Sequence, residues 1–525
     1  MKKIFCYTFF CLQCLLVSTS LVGQVKYQKL FGGFGGSGRN IVKNVTGGYI
    51  VATDHGGFGL CLMQLDHYGD TLWTQNYSQS MPVFGDLIET SDGGYIISGT
   101  FYIQHVGILI KTDGNGNIVF KRLFTNFTGL VVNSIEQCSD GGYFIVGNKS
   151  NLEGFVIKTN SNGDPLWTKT YSNTYNYSLN KIKRTSDGGG IIVGSSVYPL
   201  NNNAFATLMK IDSSGNVVWQ KLFEGIYCLS KNTLESTTDG GYIIAGTSYF
   251  YNDTAGGDGI LYLIKMNSLG NFVWGKCYPD TKNSIYGIGV TSTTDNGYTI
   301  TSGTNAFTSV DNSQYRVLLI NTDSSGIPNW SKIYGGNGFG YGNSVCQTND
   351  NGFIISGNYR DSVLNENFYL IKTDAIGNSG CTENTEAIIA NPFISNLTFL
   401  TPIVATYNLV TNSNSLIISP VDSIPIQTIC SSVTKVNEET IKEQLLIYPN
   451  PSSGLYTINL ESSVNDDAVI NVFNLLGEKI TNQKVKTKFG VNKYQLDLTN
   501  APDGIYFVTL NSNTRVSQKK FVVLK

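Results

Sequence analysis

Tyr249, Phe250 and Tyr251 stand in a row beside Asn252, Asp253 and Asp258 in the stretch TSYFYNDTAGGDG. Flat apolar rings next to amides and carboxylates suit a sugar or a peptide, the rings stacking and the polar groups fixing orientation. Tyr315, at the end of NAFTSVDNSQY, and Tyr359 with Arg360, in NYRDSVLNEN, add to the same mixture. A second chemistry rests on carboxylates. Glu89, Glu136 and Glu235 recur among Lys43, Lys183 and Arg184, and two of them flanking a substrate could act as the acid and base of glycoside cleavage. Such groups in a repeated polar ring are more often paired ions than catalysts, so no catalytic residue is assigned.

Other candidate chemistries are weaker. DGNGN at Asp113 has the composition of a cation loop, but its equivalents NSNGD, DSSGN and NSLGN keep only hairpin geometry, so a turn rather than calcium is expected. The run GGFGGSG from Gly32 lacks the GK[ST] that holds phosphate and reads as a loop. His55, His67 and His105 are scattered, and after residue 23 no CxxC occurs. No metal site and no cofactor are expected.

The elements that must position these residues are repeats. SDGGYIISGT, residues 91–100, returns as TGGY at Thr46, SDGGY at Ser139, SDGGG at Ser186, TDGGY at Thr238, TDNGY at Thr294 and NDNGF at Asn349, seven copies in all. Their glycines, Gly48, Gly94, Gly142, Gly189, Gly241, Gly297 and Gly352, lie 46 to 56 residues apart, a propeller-blade interval. Between them run short segments of alternating polarity ending in Gly, Asn or Asp, which read as strands. Each repeat parses as four strands, A to D. The glycine pair supplies the positive φ that turns A back into B.

A second signature travels with the first: Asp or Asn, Gly three residues on, an aromatic four beyond. It appears as Asp66/Gly69/Trp73, Asp113/Gly116/Phe120, Asn160/Gly163/Trp167, Asp212/Gly215/Trp219, Asn267/Gly270/Trp274 and Asp323/Gly326/Trp330, and it holds all five tryptophans of the chain. One position for every tryptophan points to a repeated packing task between neighbouring sheets. The seventh repeat stops short: FYLIKTDAIGN ends at Asn378, and Cys381 stands where the aromatic belongs. Yet YQKLF, Tyr27 to Phe31, matches WTKTY, WQKLF and WSKIY without strands of its own before it. Pairing that orphan into the last repeat would close the ring and remove an exposed edge. The expectation is an all-β chain: a closed seven-bladed β-propeller over residues 24–380, then a small C-terminal β-sandwich. An open solenoid, the alternative, has no use for the displaced strand.

The Asp/Gly/Trp spacing resembles the quinoprotein-like propeller repeat, in which the tryptophan docks one blade onto the next. The resemblance covers that packing motif alone, since neither adjacent cysteines nor a calcium-binding carboxylate set is present. Length differences then locate a binding face, because insertions collect in loops. Thr53 to Asp66 spans 13 residues but Gly246 to Asn267 spans 21, so the variation lies in the B–C loops of blades four to seven, where the aromatic stretches fall. The plainer alternative is tolerated surface.

At the start, MKKIFCYTFFCLQCLLVSTSLVGQ has the layout of a secretory signal peptide, residues 1–23, with an uncleaved anchor as the alternative. Charged residues are 14% with net charge -2, which gives no footprint for nucleic acid or anionic membrane. Cys61, Cys138, Cys228, Cys277 and Cys346 read as small buried hydrophobes, and Cys381 with Cys430 as a disulfide in an oxidising compartment. Residues 381–444 are read as a β-rich linker or stalk, or a few strands beneath the ring.

The last segment, 445–525, carries Pro449-Asn450-Pro451 with Gly454, NLLGEKI around Gly477, DGIYFV with Gly504, and a terminal KFVVLK from Lys520 to Lys525. These look like the type A C-terminal sorting domain of type IX secretion substrates. That resemblance implies a partner in the outer-membrane secretion machinery, a secreted or cell-surface destination, and removal of the tail with release or attachment to lipopolysaccharide. A cut is expected within Ser431 to Gln444, where polar composition suits mobile backbone. The composite expectation is an exported binding or adhesion module for an extracellular glycan or protein; the alternative is a propeller hydrolase or lyase acting on polysaccharide.

Overall fold

The computed structural model describes residues 25–433 and 446–525 apart from short stretches, the longest being 248–258, 279–285 and 306–314. The chain divides into two compact units between Thr434 and Lys435. Every regular element among the described residues is a strand.

In the first unit the described strands form seven five-stranded antiparallel sheets. Consecutive sheets pack on one another, and the innermost strand of the first, Gly38–Lys43, packs on Phe339–Gln347 of the seventh, so the ring closes. The closing strand is Val25–Phe31. It lies antiparallel beside Glu366–Thr373, with Tyr27 opposite Lys372 and Phe31 opposite Phe368. The N-terminal strand therefore fills the D position of blade seven, and the core at the seam joins Tyr27 and Phe31 to Tyr49, Val51, Met63, Phe368 and Leu370.

Two successive positions in each hairpin do different work. Gly93, Gly141, Gly188 and Gly240 sit at φ 77 to 79°, where a side chain is strained. In blades six and seven Asn296 and Asn351 take that place at φ 65 and 61°, asparagine being among the few residues that tolerate it. The following glycine is needed for closeness: a Cβ on Gly94 would lie 2.1 Å from the Thr112 carbonyl oxygen of strand C. The hairpin aspartate also has a partner in strand C. Lys111 meets Asp92 at 3.0 Å, Lys158 meets Asp140 at 2.8 Å, and Lys210, Lys265 and Lys372 meet Asp187, Asp239 and Asp350 at 2.9 Å. The LIKT recurrence in strand C carried this signal, and sequence reasoning passed over it.

Blade-to-blade docking follows the second signature. A Cβ on Gly116, Gly163, Gly215 or Gly377 would fall 2.5 to 2.8 Å from the ring of Trp73, Phe120, Trp167 or Trp330 of the preceding blade. Only hydrogen leaves room for the aromatic. Tyr27 does the same over Gly69 at 2.6 Å, so it is the ring's seventh docking aromatic. Four residues beyond the tryptophan, the tyrosine hydroxyls of Tyr77, Tyr171, Tyr278 and Tyr334 donate to the carbonyls of Gly116, Gly215, Gly326 and Gly377 at 2.6 to 3.0 Å.

Strands B and C do not alternate: Tyr242–Thr247 and Leu261–Met266 are buried at every residue, because neighbouring blades cover both faces of each sheet. Strand D is less covered: in Phe272–Tyr278, Val273 is exposed and Phe272, Trp274, Lys276 and Cys277 are half-buried. Cys61 and Cys138 are buried, but Cys277 and Cys346 are only half-buried; Cys228 lies outside the described residues.

Residues 384–433 neither stand off as a stalk nor lie beneath the ring. Their described strands follow its rim and give each blade a fifth, outermost strand. In chain order, Asn384–Thr385 pairs with blade six, Asn391–Pro392 with five, Leu397–Phe399 with four, Ile403–Tyr407 with three, Thr411–Asn412 with two, Ser419–Pro420 with one and Ile426–Val433 with seven. This belt covers the backbone edge that each strand D would otherwise expose.

The second unit is a two-sheet sandwich. Leu446–Tyr448, Leu455–Ser462 and Gly490–Asp497 form one sheet; Lys479–Thr487, Asp466–Asn474, Gly504–Ser512 and Val516–Val523 form the other. Tyr456, Ile458, Ile470, Val472, Val508, Leu510 and Phe521 fill the space between them.

Candidate functional site

Tyr249, Phe250, Tyr251, Asn252, Asp253 and Asp258 lie outside the described residues. The other three predicted ligand-binding residues come together at the junction of blades six and seven. Tyr315 immediately precedes strand C of blade six, Arg316–Thr322, and its carbonyl accepts from Gly340 N–H at 2.7 Å. Tyr359 and Arg360 end strand B of blade seven, where they pair with Gly340 and Phe339 of strand A.

This register brings in two aromatics that sequence reasoning missed. Phe339 lies edge-on to Tyr315 with ring centroids 5.3 Å apart, and Tyr341 edge-on to Phe339 at 6.3 Å. Tyr359 packs on the buried Tyr369 at 5.4 Å. Tyr315, Phe339, Tyr341 and Tyr359 are all half-buried, and Arg360 is exposed. The signal was GGNGFGYGN, aromatics alternating with glycine, which lets the strand approach its neighbour in blade six: a Cβ on Gly342 would lie 2.1 Å from Thr301 Oγ1. Half-exposed rings beside a guanidinium can stack on and hydrogen-bond a flat polar ligand.

The inner strands set polar side chains in layers around the axis of the ring. Four residues before Asn44, Thr90, Cys138, Thr185 and Thr348 stand Asn40, Asp86, Ser134, Lys181 and Ser344, all buried. Ser344 Oγ donates to Asn40 Oδ1 at 2.9 Å, and Asn40 Nδ2 to Asp86 Oδ1 at 2.8 Å. Asp86 Oδ2 accepts from Ser134 Oγ and from Lys181 Nζ, each at 2.7 Å. A β-bulge recurs just ahead of this layer, at Gly38/Asn40, Phe84/Asp86, Val132/Ser134, Leu179/Lys181 and Gly342/Ser344, and re-aims the next side chain. Asp86 was missed because bulges leave no mark in hydrophobic periodicity.

Two residues nearer the hairpins are Glu136, Lys183 and Glu235. Lys183 Nζ sits 3.0 Å from Glu235. Burial would lower the Lys183 ammonium, but Glu235 and Glu136 outweigh it and hold it well above its ordinary value. Burial lifts the Glu136 carboxyl, against the pull of Lys183 and Lys181. Lys43 donates to Asn349 Oδ1 at 3.3 Å. The two carboxylates thus address one lysine.

The DGNGN turn is held by its own aspartate. Asp113 Oδ1 accepts from Asn115 N–H and Asn117 N–H at 2.9 Å, and Oδ2 from Asn117 Nδ2 at 2.9 Å. Asp212 repeats the pattern with Ser214 and Asn216. Cys381 and Cys430 are disulfide-bonded, with Cα atoms 5.8 Å apart.

In the second unit the two ends of the tail motif meet. Val522 N–H donates to Asn450 Oδ1 at 2.9 Å, Leu524 N–H to the Ser452 carbonyl at 2.9 Å, and Tyr456 Oη to the Val522 carbonyl at 2.7 Å. Pro449 and Pro451 follow cis peptide bonds. Gly454, at φ 129°, would place a Cβ 2.6 Å from the Thr499 backbone. Gly504 opens a strand, Lys520 and Lys525 are exposed, and Lys525 N–H donates to Asp503 at 3.1 Å; Gly477 lies outside the described residues.

Comparison with known proteins agrees with this last grouping. Residues 446–524 match the family described as the secretion system C-terminal sorting domain. No curated protein sequence matches the chain. Among solved structures the chain is similar to Drosophila Semaphorin 1b, extracellular domains 1-2, at 8% identity over 67% of this chain and 87% of that one, with a TM-score of 0.39. It is also similar to Drosophila Plexin A in complex with Semaphorin 1b, at 8% identity over 67% and 88%, TM-score 0.38. A third is a subtype N10 neuraminidase-like protein of A/little yellow-shouldered bat/Guatemala/060/2010, at 10% identity over 57% and 98%, TM-score 0.34.

Proposed function

Because the chain ends in a type IX sorting domain, which marks proteins exported to the cell surface or extracellular space, we propose that its propeller is the exported cargo and acts as a binding or adhesion module. The ligand is an extracellular glycan or protein, and it docks on the B–C loop face of blades four to seven. The observation that carries this reading is the meeting of Tyr315, Tyr359 and Arg360 with Phe339 and Tyr341. Tyr249, Phe250, Tyr251, Asn252, Asp253 and Asp258 are assigned to the same face from sequence. The leader at residues 1–23 takes the chain to the periplasm. Tail removal then frees the cargo or attaches it to lipopolysaccharide. The cut falls after residue 433 rather than from Ser431, because Ser431 and Ser432 are paired with Tyr27 and Lys26 and a protease needs unpaired backbone.

The test is a glycan and protein array probed with the mature protein, then with Tyr249→Ala, Tyr251→Ala, Phe339→Ala and Arg360→Ala. Selective binding weakened tenfold or more, by about 1.4 kcal/mol, is expected for at least one aromatic variant. Binding unaltered by all four removes the site assignment. The rival reading, a polysaccharide hydrolase or lyase, has Glu136 and Glu235 as its acid pair. Against it stands Lys183, which is ion-paired with Glu235 at 3.0 Å and draws on the charge of Glu136 as well. Polysaccharide turnover that Glu136→Gln or Glu235→Gln abolishes would replace the binding reading.

A further inference from the structure

The belt is closed by a covalent bond at the one place where the ring is open in sequence. It leaves blade seven after the turn that ends at Asn378 and passes blades six, five, four, three, two and one before returning to blade seven. Cys381 stands at its start and Cys430 in its final strand, 49 residues on, and the two are bonded. The result is a covalent hoop around the whole propeller. The N-terminal strand lies inside it, between Glu366–Thr373 and Ile426–Val433.

The bond sits directly on the seam. Gln28 of the closing strand is the register partner of Cys430. Gln28 Nε2 donates to Ser379 Oγ at 2.8 Å, Ser379 Oγ donates to Glu383 at 2.7 Å, and Cys381 N–H reaches the same Ser379 oxygen at 3.4 Å. Tyr369 Oη hydrogen-bonds Gln28 Oε1, and Lys26 pairs with Asp374 at 3.3 Å. Belt, bond and closing strand therefore share one set of contacts. Elsewhere the belt is weakly held, by two-residue ladders on blades one, two, five and six. Ladders that short do not resist fraying by themselves.

We infer that Cys381–Cys430 is a redox clasp: its closure traps the N-terminal strand in blade seven and keeps the belt on the rim, and its reduction releases both. The clasp is made by thiol–disulfide exchange. One cysteine thiolate attacks an oxidant disulfide and expels one thiol; the second cysteine then attacks the mixed disulfide, expels the other thiol and forms the Cys381–Cys430 bond. Two cysteine thiols are oxidised and one disulfide is reduced to two thiols. The partner is a dithiol–disulfide oxidant of an extracytoplasmic compartment. A chain kept reduced would hold its ring ajar, with blade edges uncovered.

The test is hydrogen exchange on the oxidised full-length protein before and after reduction with dithiothreitol in native buffer, alongside a Cys381→Ala/Cys430→Ala variant. Closing a loop of about 50 residues restricts the opened state strongly, so exchange in the belt strands and in 25–31 should quicken by roughly a hundredfold or more on reduction. Strands A to C of blades two to five should keep their protection. Oxidised glutathione should restore the slow exchange in the reduced wild type and leave the variant fast. Equal exchange of 25–31 and the belt in the oxidised and reduced wild type overturns the clasp, whether or not the variant folds.

Discussion

Tyr27→Ala tests ring closure at its most exposed assumption, that a strand far from blade seven in sequence is a full member of it. The ring of Tyr27 is 1% exposed and fills the space over Gly69, where a Cβ would come within 2.6 Å. Truncating a fully buried aromatic costs about 3–5 kcal/mol, transfer and cavity together. Its hydroxyl, unlike those of Tyr77 and Tyr171, has no hydrogen-bond partner among the described residues, and burial holds it well above its ordinary pKa. An unpaired buried hydroxyl is unfavourable by about 1 kcal/mol or more, so Tyr27→Phe should stabilise by about that amount. The assay is equilibrium urea unfolding of the oxidised mature protein by tryptophan fluorescence, with Trp167→Ala as the equivalent change inside the ring. The two alanine variants should lose stability equally, to within about 1 kcal/mol. A loss below about 1 kcal/mol for Tyr27→Ala beside a full loss for Trp167→Ala would refute the reasoning, because the closing strand would then be an ornament on an already stable ring.

Asp86→Asn leaves Lys181 buried without its counter-charge and should cost about 3–5 kcal/mol in the same assay. Lys181→Met in that background should recover part of the loss, and strictly additive effects would show that the two are not coupled. Acid should also loosen the hairpins. Partial burial would raise Asp92 and Asp239, but hydrogen bonds from Thr90 and Lys111, and from Thr237 and Lys265, take both down to about 2. Asp187 is held at about 2 by Thr185 and Lys210. Carboxyls depressed in the folded state stabilise fully above the unfolded value near 4, and that stability fades as pH falls towards 2. The urea midpoint should therefore hold from pH 7 to about 5 and decline below 4, modestly because these carboxylates are largely exposed. A midpoint unchanged at pH 2.5 would count against the lysine–aspartate pairs.

Much of this protein is written locally. Hairpin glycines, the aromatic of strand D and the fragment YQKLF declared the blades, the docking and the displaced closing strand, because each depends on backbone sterics or on one contact repeated seven times. The tail motif was equally legible, and folding adds that Asn450 and Ser452 meet Val522 and Leu524. The belt was not legible. Two-residue ladders leave no period to read, and its strands exist only because each completed blade offers an unpaired edge. Asp86 and Lys181, 95 residues apart, become partners only when bulges in different blades turn them to the same axis. Phe339 and Tyr341 join Tyr315 only through the pairing of blade seven. What lies within a hairpin's reach is decided by the chain's own geometry; what lies across a ring is decided by closure, which brings distant residues together at positions no local rule assigns.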